Sequence, residues 1–131
     1  MTEREGLPLA TLLTGANRND SIVFEPLLDA IPRILQPTGR RRKRPDKVHA
    51  DKAYDIPRCR AALRQRHIKV RIARKQVDSS ARLGRHRWVV ERTLAWLNRY
   101  RRLTVRYERR ADIHQAFLTL GCALICFKAL P

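Results

Sequence analysis

Two periodicities organise the hydrophobic and polar positions of this chain, and the longest periodic stretch is Gly84 to Leu103. At about 100° per residue, Trp88, Val89, Val90, Leu94, Trp96, Leu97, Tyr100 and Leu103 share one broad arc, which predicts a helix with a core face. On the opposite side gather Arg87, Glu91, Arg92, Asn98, Arg99 and Arg102, with Glu91 the one acid among them. Such a carboxylate fits a salt-bridge hub worth roughly a few tenths of a kcal/mol per exposed pair. It equally fits a face that meets phosphates and turns one carboxylate toward a hard metal ion.

Taken in order, Leu7 to Thr14 is apolar and ends at Gly15, as a strand followed by a turn does. Asn17 to Ser21 supplies N-cap residues. Ile22, Phe24, Leu27, Leu28, Ile31 and Leu35 then recur at helical spacing, with Pro26 tolerable in the first turn. Gln36 to Lys47 holds Pro37, Gly39, Pro45 and five consecutive cations, Arg40, Arg41, Arg42, Lys43 and Arg44, and reads as a solvated loop able to contact phosphates. Lys47 to Ala50 is a short strand running into Asp51. Ile56 to His67 is a helix opened by Pro57, and Ile68 to Ile72 is a second strand. Strand, helix and strand at such short intervals predict a parallel crossover. Ala73 to His86, polar and carrying Ser79, Ser80 and Gly84, reads as a connection. The last helix, Ala111 to Leu130, is apolar on nearly every side and must be buried or meet a partner.

Charge narrows the function. The 131 residues carry 29 Lys and Arg against 12 Asp and Glu, a formal net charge of +17, which calls for a polyanionic partner. With 44% hydrophobic residues the chain is no disordered basic tail and should fold around a core. Cys59, Cys122 and Cys126 form no paired or zinc-type spacing and fit a reducing cytoplasm. The first residues lack the basic-then-apolar order of a signal peptide, and the apolar run near the end is too short and interrupted to span a bilayer.

Asp51 follows a strand directly, at the sheet edge where open α/β folds present ligands, and its simplest structural role is to cap the turn that follows. Together with Glu91 it could hold Mg²⁺. The segments GLPLATLLTGANRND, ADKAYD and RWVVERTLAWLNRYRRLTVRYERR resemble the C-terminal half of bacterial insertion-sequence transposases, in particular the insertion sequence five group. The resemblance covers nearly all of residues 1–131 and implies a portion of a catalytic domain with an RNase H-like fold and an Asp-Asp-Glu triad. By it, Asp51 matches the second catalytic Asp and Glu91 the catalytic Glu, both ligands of Mg²⁺ or Mn²⁺. The wider family surrounds that Glu with a Tyr-Arg-Glu-Lys signature. Arg87 matches its Arg, while Gly84 and Asn98 stand at the Tyr and Lys positions, with Arg99 and Arg102 close enough to supply charge.

The family's first Asp belongs upstream of the segment matching Leu7 to Asp20, and Asp20 and Asp29 are poor substitutes for it. The expectation is therefore an incomplete α/β domain, a mixed sheet with flanking helices that lacks its first strands and leaves apolar sheet edge exposed. The implied activity is metal-dependent cleavage and transfer of DNA strands at insertion-sequence ends, in the bacterial cytoplasm at the nucleoid. Arg40 to Arg44, Arg87, Arg92, Asn98, Arg99, Arg102 and Arg106 would hold DNA, and the chain would act as a homo-oligomer or paired with an upstream transposase segment. The main rival is an inactive DNA-binding remnant or inhibitor of the longer enzyme. A ribosomal-type RNA-binding protein satisfies the charge but not the placement of Asp51 and Glu91.

Overall fold

The computed structural model describes the backbone of residues 1–76 and 80–130, and side chains of residues 1–76 and 88–130. It is an α/β chain of short sheets and helices that divides into two compact units, Thr14–His86 and Met1–Leu13 with Arg87–Pro131.

In the first unit the Asn19 side chain accepts the Ser21 amide at 3.0 Å and starts a 3-10 turn, Asp20–Val23, that runs into helix α1, Phe24–Asp29. The helix expected to continue to Leu35 stops six residues in. Pro32 disfavours helical backbone at Ile31 and offers no amide of its own, so the chain leaves the helix there. Ile34–Leu35 instead forms strand β1, antiparallel to β2, Arg41–Arg42, in the register Ile34↔Arg42 and Leu35↔Arg41. The expected basic loop is thus half of a hairpin. Its tip is a turn closed by the Gly39 amide on the Gln36 carbonyl (2.9 Å), with Pro37 in second place and Gly39 at φ +77°. Proline presets that turn and glycine accepts the left-handed residue that follows it.

Strands β3, Lys47–Ala50, and β4, Lys69–Ile72, pair in parallel around helix α2, Pro57–Gln65, which is the expected crossover. Proline at the first position of α2 gives up an amide that a helix start leaves unpaired anyway. The helix ends in a Schellman pattern: His67 sits at φ +53°, its amide bonds Arg64 O, and the Ile68 amide bonds Leu63 O (both 2.9 Å). Cys59, Ala62 and Leu63 of α2 are buried together with Phe24, Leu28, Ile31, Val48, Ile68, Ile72 and Ala73. Asp55 ties the crossover to the strand end by accepting from Arg60 Nε (2.7 Å) and the Lys75 amide (2.8 Å), while Arg60 reaches Ile72 O (3.0 Å). Those bonds, from the Lys75 amide first and Arg60 second, hold the Asp55 carboxyl below its ordinary range. One mixed sheet was expected; the described residues form two separate pairs, one antiparallel and one parallel.

Helix α3, Ser80–Leu97, whose residues from Arg87 onward belong to the second unit, begins inside the stretch expected to be a connection; residues 77–79, including Ser79, lie outside the described ones. The helix expected to reach Leu103 breaks after Leu97, where the Arg99 and Tyr100 amides bond three residues back, and resumes as α4, Arg101–Thr104. Thr104 Oγ1 caps the break by donating to Asn98 O (2.6 Å). The buried line on α3 is also narrower than the expected arc. Thr93 is 3% exposed and Leu97 is buried, whereas Trp88, Val90 and Leu94 are about half exposed. Thr93 goes inside because the Gly6 carbonyl accepts from its hydroxyl at 2.5 Å, which satisfies a buried polar group.

The N-terminal stretch expected as a strand is extended but pairs only through a Thr2↔Pro8 bridge among the described residues. Glu3 accepts the Glu5 and Leu7 amides (2.7 and 2.9 Å), and Met1 donates to Ala10 O (2.8 Å). Helix α5, Ala111–Lys128, crosses the break between α3 and α4 at Gly121, where an added Cβ would stand 2.9 Å from Leu103 Cδ1 and 3.3 Å from Leu97 Cδ2. Of its apolar surface Gly121 and Ile125 are buried, but Leu120 and Phe127 are exposed, the latter by 71%. No helix among the described residues is long and apolar enough to cross a membrane.

Two stability predictions follow from these joints. Gly121→Val should cost about 1–3 kcal/mol through overpacking, read as a lower midpoint in urea with unchanged slope. His67→Gly should stabilise by up to about 1 kcal/mol, because glycine meets no Cβ penalty in the left-handed position. An unchanged or lower midpoint would mean that the His67 side chain contributes more than its backbone strain costs.

Candidate functional site

Asp51 stands where β3 ends, exposed, in the unit Thr14–His86. One carboxylate oxygen, Oδ1, accepts the Ala53 amide at 2.9 Å and caps the 3-10 turn Lys52–Tyr54. A carboxylate has about four lone-pair sites on two oxygens, so this bond fixes its orientation and leaves acceptor capacity. Tyr54, half-buried with its ring tilted at 42° against Phe24 and centroids 5.4 Å apart, is a neighbour that sequence reasoning passed over. Burial pushes its phenol above the ordinary range, and the negative charges of Asp20 and Asp51 add to the rise. Asp20 and Asp51 therefore act on one tyrosine, which only its place in ADKAYD could have suggested.

Glu91 is exposed on α3 in the other unit. The Arg87 side chain lies outside the described residues. Arg92 is committed within its own unit: its guanidinium carbon sits 4.5 Å from the Trp88 ring centroid and 4.9 Å from that of Trp96, and Nη2 donates to Glu5 O. Cation–π contacts of this kind are worth about 0.5–2 kcal/mol each, and here they face a buried Nε with no hydrogen-bond partner. Arg4, Glu5, Leu7, Trp88, Arg92, Trp96 and Ala129 line an open depression of about 430 Å³. Arg4 was not among the expected site residues.

Asn98 and Arg99 are exposed at the helix break. Arg102 meets Glu108 Oε1 at 2.8 Å and lies over the rings of Tyr107 (5.6 Å) and Phe117 (5.4 Å), while Arg106 Nε donates to Glu108 O at 2.9 Å. The Glu108 side chain is only 6% exposed, and His114 Nδ1 lies 3.6 Å from Oε2, an ion-pair rather than a hydrogen-bond distance. Burial alone would push the Glu108 carboxyl up; its own backbone amide, Arg102 and His114 outweigh that and hold it below the ordinary range. Glu108 thus joins α4 to α5.

The hairpin gathers the densest charge. Arg42 donates to Arg44 O (2.7 Å) and pairs with Asp46, whose carboxyl this hydrogen bond lowers before any other cause. Arg40, Arg41, Lys43 and Arg44 are exposed, and none of them is in a salt bridge among the described residues. Among those residues no three His, Cys, Asp or Glu side chains gather as a metal site.

Residues 1–126 match the family model described as Transposase DDE domain. A Burkholderia cepacia protein named "Putative transposase for insertion sequence element IS402" is 53% identical over 130 residues, which cover 99% of this chain and 62% of that protein. The chain therefore spans less than two thirds of the length of the curated relative it matches. No solved structure matches it. With a family match running over all but the last five residues, the chain belongs to the Transposase DDE domain family.

Proposed function

We propose that this chain is the C-terminal portion of the catalytic domain of an insertion-sequence transposase of the insertion sequence five group, RNase H-like in fold, which cuts and joins DNA at the element's ends. The observation that carries the reading is the 53% identity to a protein named as such a transposase, across 99% of the chain. Asp51 at a strand end and Glu91 on a long helix are the acids we assign to catalysis. Arg40 to Arg44, Arg87, Asn98, Arg99, Arg102 and Arg106 are assigned to DNA, and Arg92 to its edge beside the tryptophans.

The donor chemistry fits Mg²⁺ or Mn²⁺. Magnesium is commonly held by one or two carboxylates, with water and substrate phosphate oxygens completing its shell, so two exposed Asp and Glu side chains suit it and the scattered cysteines do not. When bound, such ions activate the attacking oxygen and stabilise the leaving one. The chain's own part is positioning. Asp51, oriented by the Ala53 amide, presents a carboxylate in fixed register with β3, and cations of the hairpin and of residues 98–106 bind the phosphate backbone. Water attacks a phosphodiester phosphorus, the 3′ oxygen leaves as a hydroxyl, and that hydroxyl attacks a phosphorus of target DNA with loss of a second 3′ oxygen. A second reading, a chain that binds DNA but cuts only when completed by further polypeptide, is supported by the chain spanning 62% of the length of the related transposase.

The deciding experiment is strand cleavage of the element's end DNA with Mg²⁺ or Mn²⁺, first with this chain alone and then with the remaining part of the related transposase added. Cleavage alone supports the first reading, cleavage only on addition supports the second, and cleavage in neither removes the catalytic assignment. Glu91→Gln should abolish whatever cleavage is seen while leaving the dissociation constant for DNA, measured without divalent metal, within about twofold, since the cations alone then carry phosphate affinity. Equal loss of both would count against a catalytic Glu91. Replacing Arg40, Arg41, Lys43 and Arg44 with alanine should flatten the dependence of log K on log salt by about 0.9 for each phosphate contact removed.

A further inference from the structure

The β1–β2 hairpin has features that a surface built only to neutralise phosphates does not need. All four paired residues, Ile34, Leu35, Arg41 and Arg42, are exposed, Leu35 by 65%. No core holds either face. The register sets one aliphatic side chain beside one guanidinium on each face, Ile34 across from Arg42 and Leu35 across from Arg41. Residues 33–44 contain six cations and no acid. Arg42 is turned back onto Asp46 and the Arg44 carbonyl, which stiffens the exit of the hairpin and leaves Arg40 and Arg41 nearest its tip.

We infer that this hairpin is a two-stranded arm that enters the major groove of duplex DNA, with Arg41 and Leu35 against base edges and Arg40, Lys43 and Arg44 on the flanking phosphates. The inference rests on DNA being the partner, as proposed above, and adds how it is gripped. Paired strands lie about 4.8 Å apart before side chains are counted. A groove about 12 Å wide admits such a ribbon, whereas the minor groove, about 6 Å wide, does not without deformation. The major groove also offers what the two faces carry: guanine acceptors for a guanidinium and thymine methyl groups for an aliphatic side chain. A bare two-stranded hairpin is marginally stable in water, and the groove supplies the second surface that this one lacks. The Pro37 to Gly39 turn keeps the tip narrow, with an unbranched glycine at the bend.

The test uses the whole chain and a short duplex of mixed sequence in three forms: plain, with glucosylated hydroxymethylcytosine filling the major groove, and with netropsin occupying the minor groove. Glucosylation should weaken binding by about tenfold, the scale of one good base-edge contact, and netropsin should leave it unchanged. Leu35→Ser, at an exposed position where helical content by circular dichroism should not move, should weaken binding to the plain duplex, keep the salt slope and remove most of the sensitivity to glucosylation. Competition by netropsin without an effect of glucosylation would overturn the inference in favour of the minor groove. Indifference to both, with a salt slope that still falls when the hairpin cations are removed, would overturn it in favour of phosphate contact alone. In either case DNA binding as such would stand. A folded chain with no salt-dependent duplex binding would instead sink the proposed function, and the inference with it.

Discussion

Twelve acids cannot neutralise twenty-nine cations, and the arrangement of this protein follows from where those acids go. Four of them are set at joints. Asp29 holds Arg66 at the end of α2, Asp55 holds Arg60 between the crossover and β4, Asp46 holds Arg42 at the base of the hairpin, and Glu108 holds Arg102 between α4 and α5. Exposed pairs of this kind contribute little stability each. Arg60–Asp55, with both side chains mostly buried, and Arg102–Glu108, with its carboxylate buried, fix how one element leaves another. The hairpin keeps Arg40, Arg41, Lys43 and Arg44 outside any such bridge among the described residues, which concentrates uncompensated charge there.

Apolar burial in this chain is correspondingly local. The unit Thr14–His86 buries one face of α2 against β4 and α1, a core centred on Cys59 and Leu63. The unit containing α5 relies on a close helix crossing at Gly121 and on polar contacts: Thr93 to Gly6, Gln115 to the Leu13 amide, and an arginine held between two tryptophans. Its apolar surface is left partly in water at Leu120, Phe127 and Leu130.

The strand, helix and strand from Lys47 to Ile72 were legible because each boundary had a local physical cause. Period-two strands flank a helix opened by Pro57, and no distant contact was needed to choose among alternatives. Asp51 at the strand end and its capping bond were readable for the same reason. The hairpin was not, because Ile31 and Leu35 continue a helical spacing that Pro32 interrupts, and periodicity alone counts the residues without the interruption. Helix α3 was misjudged in its facing rather than its existence. An apolar arc assumes that arginine belongs outside, yet Arg92 lies over Trp88 and Trp96 with its charge on their rings, and Thr93 is drawn inside by a carbonyl 87 residues away. Long-range hydrogen bonds of that kind leave no periodic trace.

The observed capping role of Asp51 is compatible with the metal-binding role proposed for it. A carboxylate free to rotate would lose side-chain entropy on taking a metal ion. Here the Ala53 amide holds Oδ1 at 2.9 Å from a turn that β3 itself launches, so the side chain is ordered in advance and the second oxygen carries the remaining acceptor capacity. A backbone amide also carries no net charge, whereas a guanidinium in its place would compete with the cation. The placement of the scarce acids is consistent with that division: Asp29, Asp46, Asp55 and Glu108 hold arginines at joints, while Asp51 is tied by a backbone amide at the end of the strand.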